Sequence, residues 1–170
     1  ADGQNRWYVT QGNKLYYSKK DDYHYEYACD LSEYAAGGYY QRAVEFEGKV
    51  YICPGNAQDI LEVEWKETSA DGQAGKWMVK RIELKRCLAQ AGAFAATVQV
   101  GTYLFILPNK YPAIVRFDMR TQEVRYLTGA NDFYVSDGRG GRRFGGVAAW
   151  GNALWIGSPY GNQIFKIEAD

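Results

Sequence analysis

Four short phrases in this chain follow one plan: a glycine, one or two turn-forming residues, then an aliphatic residue followed by an aromatic one. They read Gly12-Asn-Lys-Leu-Tyr-Tyr, Gly48-Lys-Val-Tyr-Ile, Gly101-Thr-Tyr-Leu-Phe-Ile and Gly151-Asn-Ala-Leu-Trp-Ile. The anchors are therefore Leu15-Tyr16, Val50-Tyr51, Leu104-Phe105 and Leu154-Trp155. A second phrase comes after each anchor and closes on an acid: Asp30, Glu64, Asp118 and Glu168. From aromatic anchor to closing acid the distance is 14 residues in the first repeat and 13 in the other three, while the residues between them vary freely. Internal repetition of this kind governs the fold before any single residue does.

The physics of one repeat is that of a strand–turn–strand unit. Apolar and polar residues alternate around both phrases, the mark of strands with one buried face. Between them lie turn-formers: Lys19 to Asp22, Pro54 to Asn56, Pro108 to Lys110 and Pro159 to Asn162. A further β-like run precedes each glycine, at Arg6–Gln11, Arg42–Glu47, Phe94–Val100 and Phe144–Trp150. After the closing acid the second and third repeats continue into Trp77–Leu84 and Glu123–Leu127. The first has a weak fourth-strand candidate at Gly38–Tyr40, and the fourth repeat ends at Asp170, after its third strand. The only segment with helical composition, Lys85–Ala96, is interrupted by Gly92.

A four-stranded antiparallel unit recurring every 36 to 53 residues is the sequence form of a propeller blade, which buries its faces by stacking on the next blade. The expected fold is all-β: a β-propeller of about four antiparallel blades or part-blades, within a larger or oligomer-completed ring. The whole of 1–170 reads as one propeller-like repeat domain with units at about 6–37, 38–88, 89–129 and 130–170. The stretches Gly151-Asn-Ala-Leu-Trp-Ile-Gly-Ser-Pro-Tyr-Gly-Asn-Gln-Ile-Phe-Lys-Ile-Glu168 and Val115-Arg-Phe-Asp-Met-Arg-Thr121 resemble propeller repeats of the NHL type and of virginiamycin B lyase-like proteins. That resemblance implies a propeller and leaves function open, since such blades serve sensors, scaffolds and enzymes alike. Lyases of that kind imply a catalytic histidine with a metal-binding acid, and no phrase here matches either.

Charge and composition remove several function classes. Twenty basic and twenty acidic residues cancel and are scattered, which argues against nucleic acid as a partner. No apolar run reaches membrane-spanning length and no signal-peptide core is visible, so no membrane partner is expected and the location is unassigned. Cys29, Cys53 and Cys87 are odd in number and widely spaced, the pattern of free thiols. With one histidine, His24, and no Asp-x-Asp-x-Asp-Gly loop, the expectation is no catalytic constellation, no metal site and no cofactor. Glu62 and Glu64 share a strand face, as alternating residues on any solvated strand do.

The leading functional expectation is a non-catalytic propeller module that recognises a polymer, peptide or protein through its loop face. The alternatives are a propeller-type hydrolase or lyase acting on a small or sugar-like substrate, and a structural self-association module. Candidate binding residues lie in the connections that share one blade end. Arg139, Arg142 and Arg143 come from the glycine-rich stretch Thr128–Arg143, whose guanidinium groups suit carboxylates or phosphates. Lys110, Tyr111, Tyr160 and Asn162 join them, since rings beside amides suit a glycan or protein ligand. A homo-oligomer or the remainder of a larger propeller is the expected assembly partner.

Overall fold

Antiparallel strands and short turns account for nearly all the regular structure in the computed structural model of the chain. It describes residues 5–67, 75–86, 93–128, 135–136, 142–158 and 162–170. The chain divides into two compact units, residues 1–85 and 86–170. In the first, β1 (Asn5–Val9), β2 (Lys14–Lys19) and β3 (Glu26–Asp30) form a three-stranded meander. β4 (Tyr40–Phe46), β5 (Lys49–Pro54), β6 (Asp59–Lys66) and β7 (Lys76–Glu83) form a four-stranded one. In the second unit, β8 (Phe94–Val100), β9 (Tyr103–Pro108), β10 (Ile114–Asp118) and β11 (Val124–Leu127) make the four-stranded sheet. β12 (Val135–Ser136) pairs with β13 (Arg142–Arg143), and β14 (Gly146–Trp150), β15 (Ala153–Gly157) and β16 (Ile164–Glu168) complete a three-stranded sheet.

The repeated glycine serves the turn between the first two strands of each sheet, by more than one geometry. Gly101 and Gly151 take φ values of 58° and 60° as first residues of two-residue hairpin loops. There an L side chain would be disfavoured, as the type II′ turn requires. In the β4–β5 hairpin both loop residues, Glu47 and Gly48, have positive φ, the type I′ pattern. In the β1–β2 connection it is Asn13, not Gly12, that takes φ 60°.

In three repeats a backbone hydrogen bond ties the chain just after the closing acid to the first hairpin. The residue after that acid donates its N–H to the carbonyl of the preceding hairpin loop: Leu31 to Asn13 (2.9 Å), Met119 to Thr102 (2.9 Å) and Ala169 to Asn152 (3.0 Å). Both ends of the B–C strand pair, the second and third strands of the sheet, are thereby tied to one turn, whether 13 or 14 residues separate anchor from acid. The closing acids Asp30 and Asp118 then accept backbone N–H bonds from Ser32 and Arg120, turning the chain away from the sheet. The Ser32 bonds hold the Asp30 carboxyl below the usual carboxylate range.

All four aliphatic anchors, Leu15, Val50, Leu104 and Leu154, are buried. In the first unit Leu15, Val50 and Leu61 pack with Val9, Leu31 and Tyr40. In the second, Leu154, Ile156 and Ala169 pack with Val100, Phe105 and Ile114. The aromatic anchors differ: Tyr51 and Phe105 are buried, while Tyr16 and Trp155 are half-buried.

One expectation needs correction. The fourth-strand candidate of the first repeat, Gly38–Tyr40, is not a fourth strand: Ser32–Tyr34 forms a 3-10 turn, and Tyr40 opens β4. The reason is Asn13, whose buried side-chain amide donates to the Gly38 carbonyl (3.0 Å) and accepts from the Tyr40 N–H (2.9 Å), drawing this segment to the second sheet. Of the segment with helical composition, Lys85 and Arg86 are irregular and Phe94–Ala96 belongs to β8; residues 87–92 lie outside the described residues.

Asn13 links the two sheets of the first unit, so its side chain should be costly to lose. Asn13→Gly keeps the backbone conformation but orphans a buried donor and acceptor, and should lower unfolding free energy by about 2 kcal/mol. Asn13→Ala should lose roughly 1 kcal/mol more through its positive φ. Urea unfolding of both variants checks this, and a wild-type midpoint for Asn13→Gly would refute it.

Candidate functional site

A groove of about 810 Å³ opens in the first unit between the β1–β2–β3 sheet and the far end of β6 and β7. Two rings come from the first sheet: Trp7 and Tyr17, directly opposite in the β1–β2 register, with centroids 5.2 Å apart. Two come from the second: Trp65 and Trp77, directly opposite in the β6–β7 register, with centroids 5.1 Å apart. Trp77 meets Trp7 edge to face at 5.7 Å, joining both pairs into one cluster. Gly75 makes room for it, because a Cβ there would collide with the Trp65 indole.

The polar ends of these rings are anchored. The Trp7 indole N–H donates to Glu45 Oε2 at 2.7 Å, and the Asn5 N–H donates to the same oxygen at 3.3 Å. The Tyr17 hydroxyl donates to Glu26 Oε2 at 2.7 Å, a bond that, with partial burial, raises the phenol above its ordinary value. Beside them β3 contributes Tyr27, Ala28, Cys29 and Asp30 to the wall. Burial, and secondarily the Asp30 charge, pushes the Cys29 thiol up to about 11, which makes it an unreactive wall residue at neutral pH. Such a surface can stack flat apolar or aliphatic faces while offering carboxylates at its rim.

Trp65 carries a signal that the repeat contains but period-two patterning does not announce. The residue following the closing acid is Leu31 (0 % exposed), Met119 (2 %) and Ala169 (0 %) in three repeats, each tucked under a hairpin turn. In the second repeat that residue is Trp65, and it is 45 % exposed. There the third strand runs on to Lys66 and pairs with β7 as far as Lys76, which leaves Trp65 at the surface opposite a Trp77 packed against the core's edge.

The residues expected to bind from the loops fall in the second unit. Lys110 is exposed in the β9–β10 connection. Tyr111, beside it, is 4 % exposed, and its ring packs on Phe94 at 4.7 Å and near Tyr126, so it serves the core and is withdrawn from a ligand. The cause is local: the N–H groups of Asn109, Lys110 and Tyr111 all converge on the Ala93 carbonyl, folding this loop back onto the sheet. Gly55, Asn56 and Ala57 do the same toward the Tyr39 carbonyl in the first unit. Asn162 is exposed before β16. Arg142 and Arg143 form β13, opposite Ser136 and Val135. Arg139 and Tyr160 lie outside the described residues.

His24 is exposed, its N–H bonded to the Asp22 carboxylate. Glu62 is buried, accepts from the Tyr51 hydroxyl (3.2 Å) and pairs with Lys49 (3.2 Å); Glu64 pairs with Lys66 (2.8 Å). Among the described residues, no group of three or more metal-ligating side chains is assembled. Cys53 is buried, Cys29 half-buried, and both are free thiols; Cys87 lies outside the described residues. No helix among the described residues is long and apolar enough to cross a membrane.

No family model matches the sequence, and no curated protein matches it. Among solved structures, one titled as a streptogramin B lyase structure, a propeller fold, is similar over 99 % of this chain at 17 % identity, with a TM-score of 0.63. The chain spans about half of that one, 49 % of its length. The fold is thus all-β and propeller-like, built of antiparallel blades and part-blades.

The Cys29 environment gives a direct check on the groove wall. At pH 8 its alkylation by iodoacetamide, followed peptide by peptide by mass spectrometry, should be on the order of a hundredfold slower than that of an exposed cysteine in a peptide. Alkylation at the peptide rate would contradict this placement of β3.

Proposed function

We propose that this chain is a non-catalytic binding module of the propeller kind, and that it takes its ligand into the aromatic groove of its first unit. The observation that carries this reading is the exposed Trp65 at a position that three sister repeats bury, packed with Trp77, Trp7 and Tyr17 around an open groove. Exposed tryptophan is costly in water and contributes most where a partner covers it. The carboxylates nearby are already bonded to the rings and hold them in place, which suits recognition better than proton transfer. The similar solved structure is titled a lyase, and at 17 % identity that likeness carries the fold alone.

Binding to an array of capped peptides and soluble oligosaccharides tests the reading. Wild-type protein should retain a subset of ligands, and Trp77→Ala should weaken them at least tenfold, the scale of one stacked aromatic contact. Trp150→Ala, an exposed tryptophan of the second unit, should leave them unchanged. Ligands indifferent to Trp77 but lost with Arg142→Ala would move the site to the loops. Turnover of a lactone or glycoside that Arg142→Ala abolishes would replace binding with catalysis.

A further inference from the structure

The groove lies along a strand that has only one neighbour. The third strands β6 and β10 each pair on their far side with a fourth strand, β7 or β11, whereas among the described residues nothing pairs with the far side of β3. The alternation of antiparallel ladders determines which of its groups stand free. Thr10 N–H bonds to Lys14 C=O, so even-numbered residues of β2 face β1, and Leu15 and Tyr17 face β3. Their partners Cys29 and Glu26 therefore face inward, and Tyr27 and Asp30 present their backbone groups to the open edge. A bulge adds one residue, Ala28, between them.

The side chains on this edge define what could fill it. Glu26 is on the groove face, bonded to Tyr17, and Cys29 shares that face. The side chains of Tyr27 and Asp30 alternate to the other face, while both residues still border the groove. Two acids and a bulge discourage pairing with a second copy of β3, the usual protection of an exposed edge. The same acids favour a strand with basic residues opposite Glu26 and Asp30 and apolar ones between. The chain's own fourth strand β7 follows that chemistry at its centre, setting Lys80 opposite Glu62 and the apolar Val79 and Ile82 opposite Val63 and Ile60, while at its ends Glu83 faces Asp59 and Lys76 faces Lys66.

We propose that β3 accepts an extended segment of another polypeptide as its missing fourth strand. That segment carries two apolar residues flanked by two basic ones, and its groove-facing side chains extend the face that carries Glu26 and Cys29, beside the aromatic groove. The inference rests on the groove being the binding site and adds the ligand class and the mode, main-chain pairing at a sheet edge.

The probe is a capped hexapeptide of two valines flanked by two lysines and then two threonines. Its titration should change tryptophan fluorescence and slow amide hydrogen exchange at Tyr27 and Asp30, read by NMR on the full chain. N-methylating the strand-facing amides should weaken binding at least tenfold. Glu26→Lys, which also costs the Tyr17 hydroxyl its acceptor, should weaken the lysine peptide at least fivefold and, as the mark of charge and not of that loss, improve one with glutamates in place of lysines. An N-methylated peptide that binds as well and still perturbs fluorescence would overturn strand addition and leave the groove reading standing. No response to the hexapeptide, with Trp77-dependent array ligands retained, would do the same. Array ligands indifferent to Trp77 would remove the groove reading itself. Protection of Tyr27 and Asp30 in the free protein that vanishes on dilution would assign the edge to a second copy and overturn a heterologous partner.

Discussion

In three of the four repeats, one backbone hydrogen bond runs from the residue after the third strand to the carbonyl of the first hairpin loop. Both ends of the strand pair hang on the same turn, so the third strand ends level with the start of the second even where a bulge adds a residue between them. The bond also determines which residue goes under the turn. Leu31, Met119 and Ala169 are all carried into the interior by it, and Leu31 and Ala169 become members of their units' cores. Turn, register and core are in this sense one constraint, imposed by a donor and an acceptor that would be costly to bury unpaired.

In the second sheet the third strand continues past that point, with a different outcome. β6 extends to Lys66 and β7 returns from Lys76, and the position that would have been tucked away instead holds Trp65 at the surface, opposite Trp77. The neighbouring sheet has three strands, so nothing described there shields this overhang, and Trp7 and Tyr17 supply the facing wall. The groove is a product of two departures from the four-stranded plan, one strand too long and, among the described residues, no fourth strand beside β3.

That origin explains how much of the molecule is legible in its sequence. The all-β class, the four strand–turn–strand units and the four-stranded second and third repeats are legible, because period-two alternation and glycine-led turns are local signals. The first repeat's fourth strand is misplaced at Gly38–Tyr40 because the deciding contact, the Asn13 amide bonded to Gly38 and Tyr40, spans 25 and 27 residues. Tyr111 reads as a rim tyrosine because its sequence neighbours are turn-formers, while its burial depends on the Ala93 carbonyl gathering three N–H groups. The groove is half legible. Aligning the residues after the closing acids singles out Trp65, but the approach of Trp7 to Trp77 is a tertiary contact that neither strand announces.

An open edge beside an aromatic groove also bounds the affinity such a site can reach. Ordering four residues of a free chain costs about 1–2 kcal/mol each. The ladder bonds return about 1 kcal/mol apiece, and each apolar side chain buried against the rings about 1.5–3 kcal/mol. These terms leave a small surplus, so a flexible segment such as the hexapeptide binds β3 at about millimolar strength on its own, within reach of a titration. A partner whose segment is already held extended, as an exposed edge strand or a stiff loop of a folded protein, avoids most of the ordering cost. The acids at Glu26 and Asp30 would then decide which of such edges is admitted, and the cluster around Trp77 how firmly it is retained.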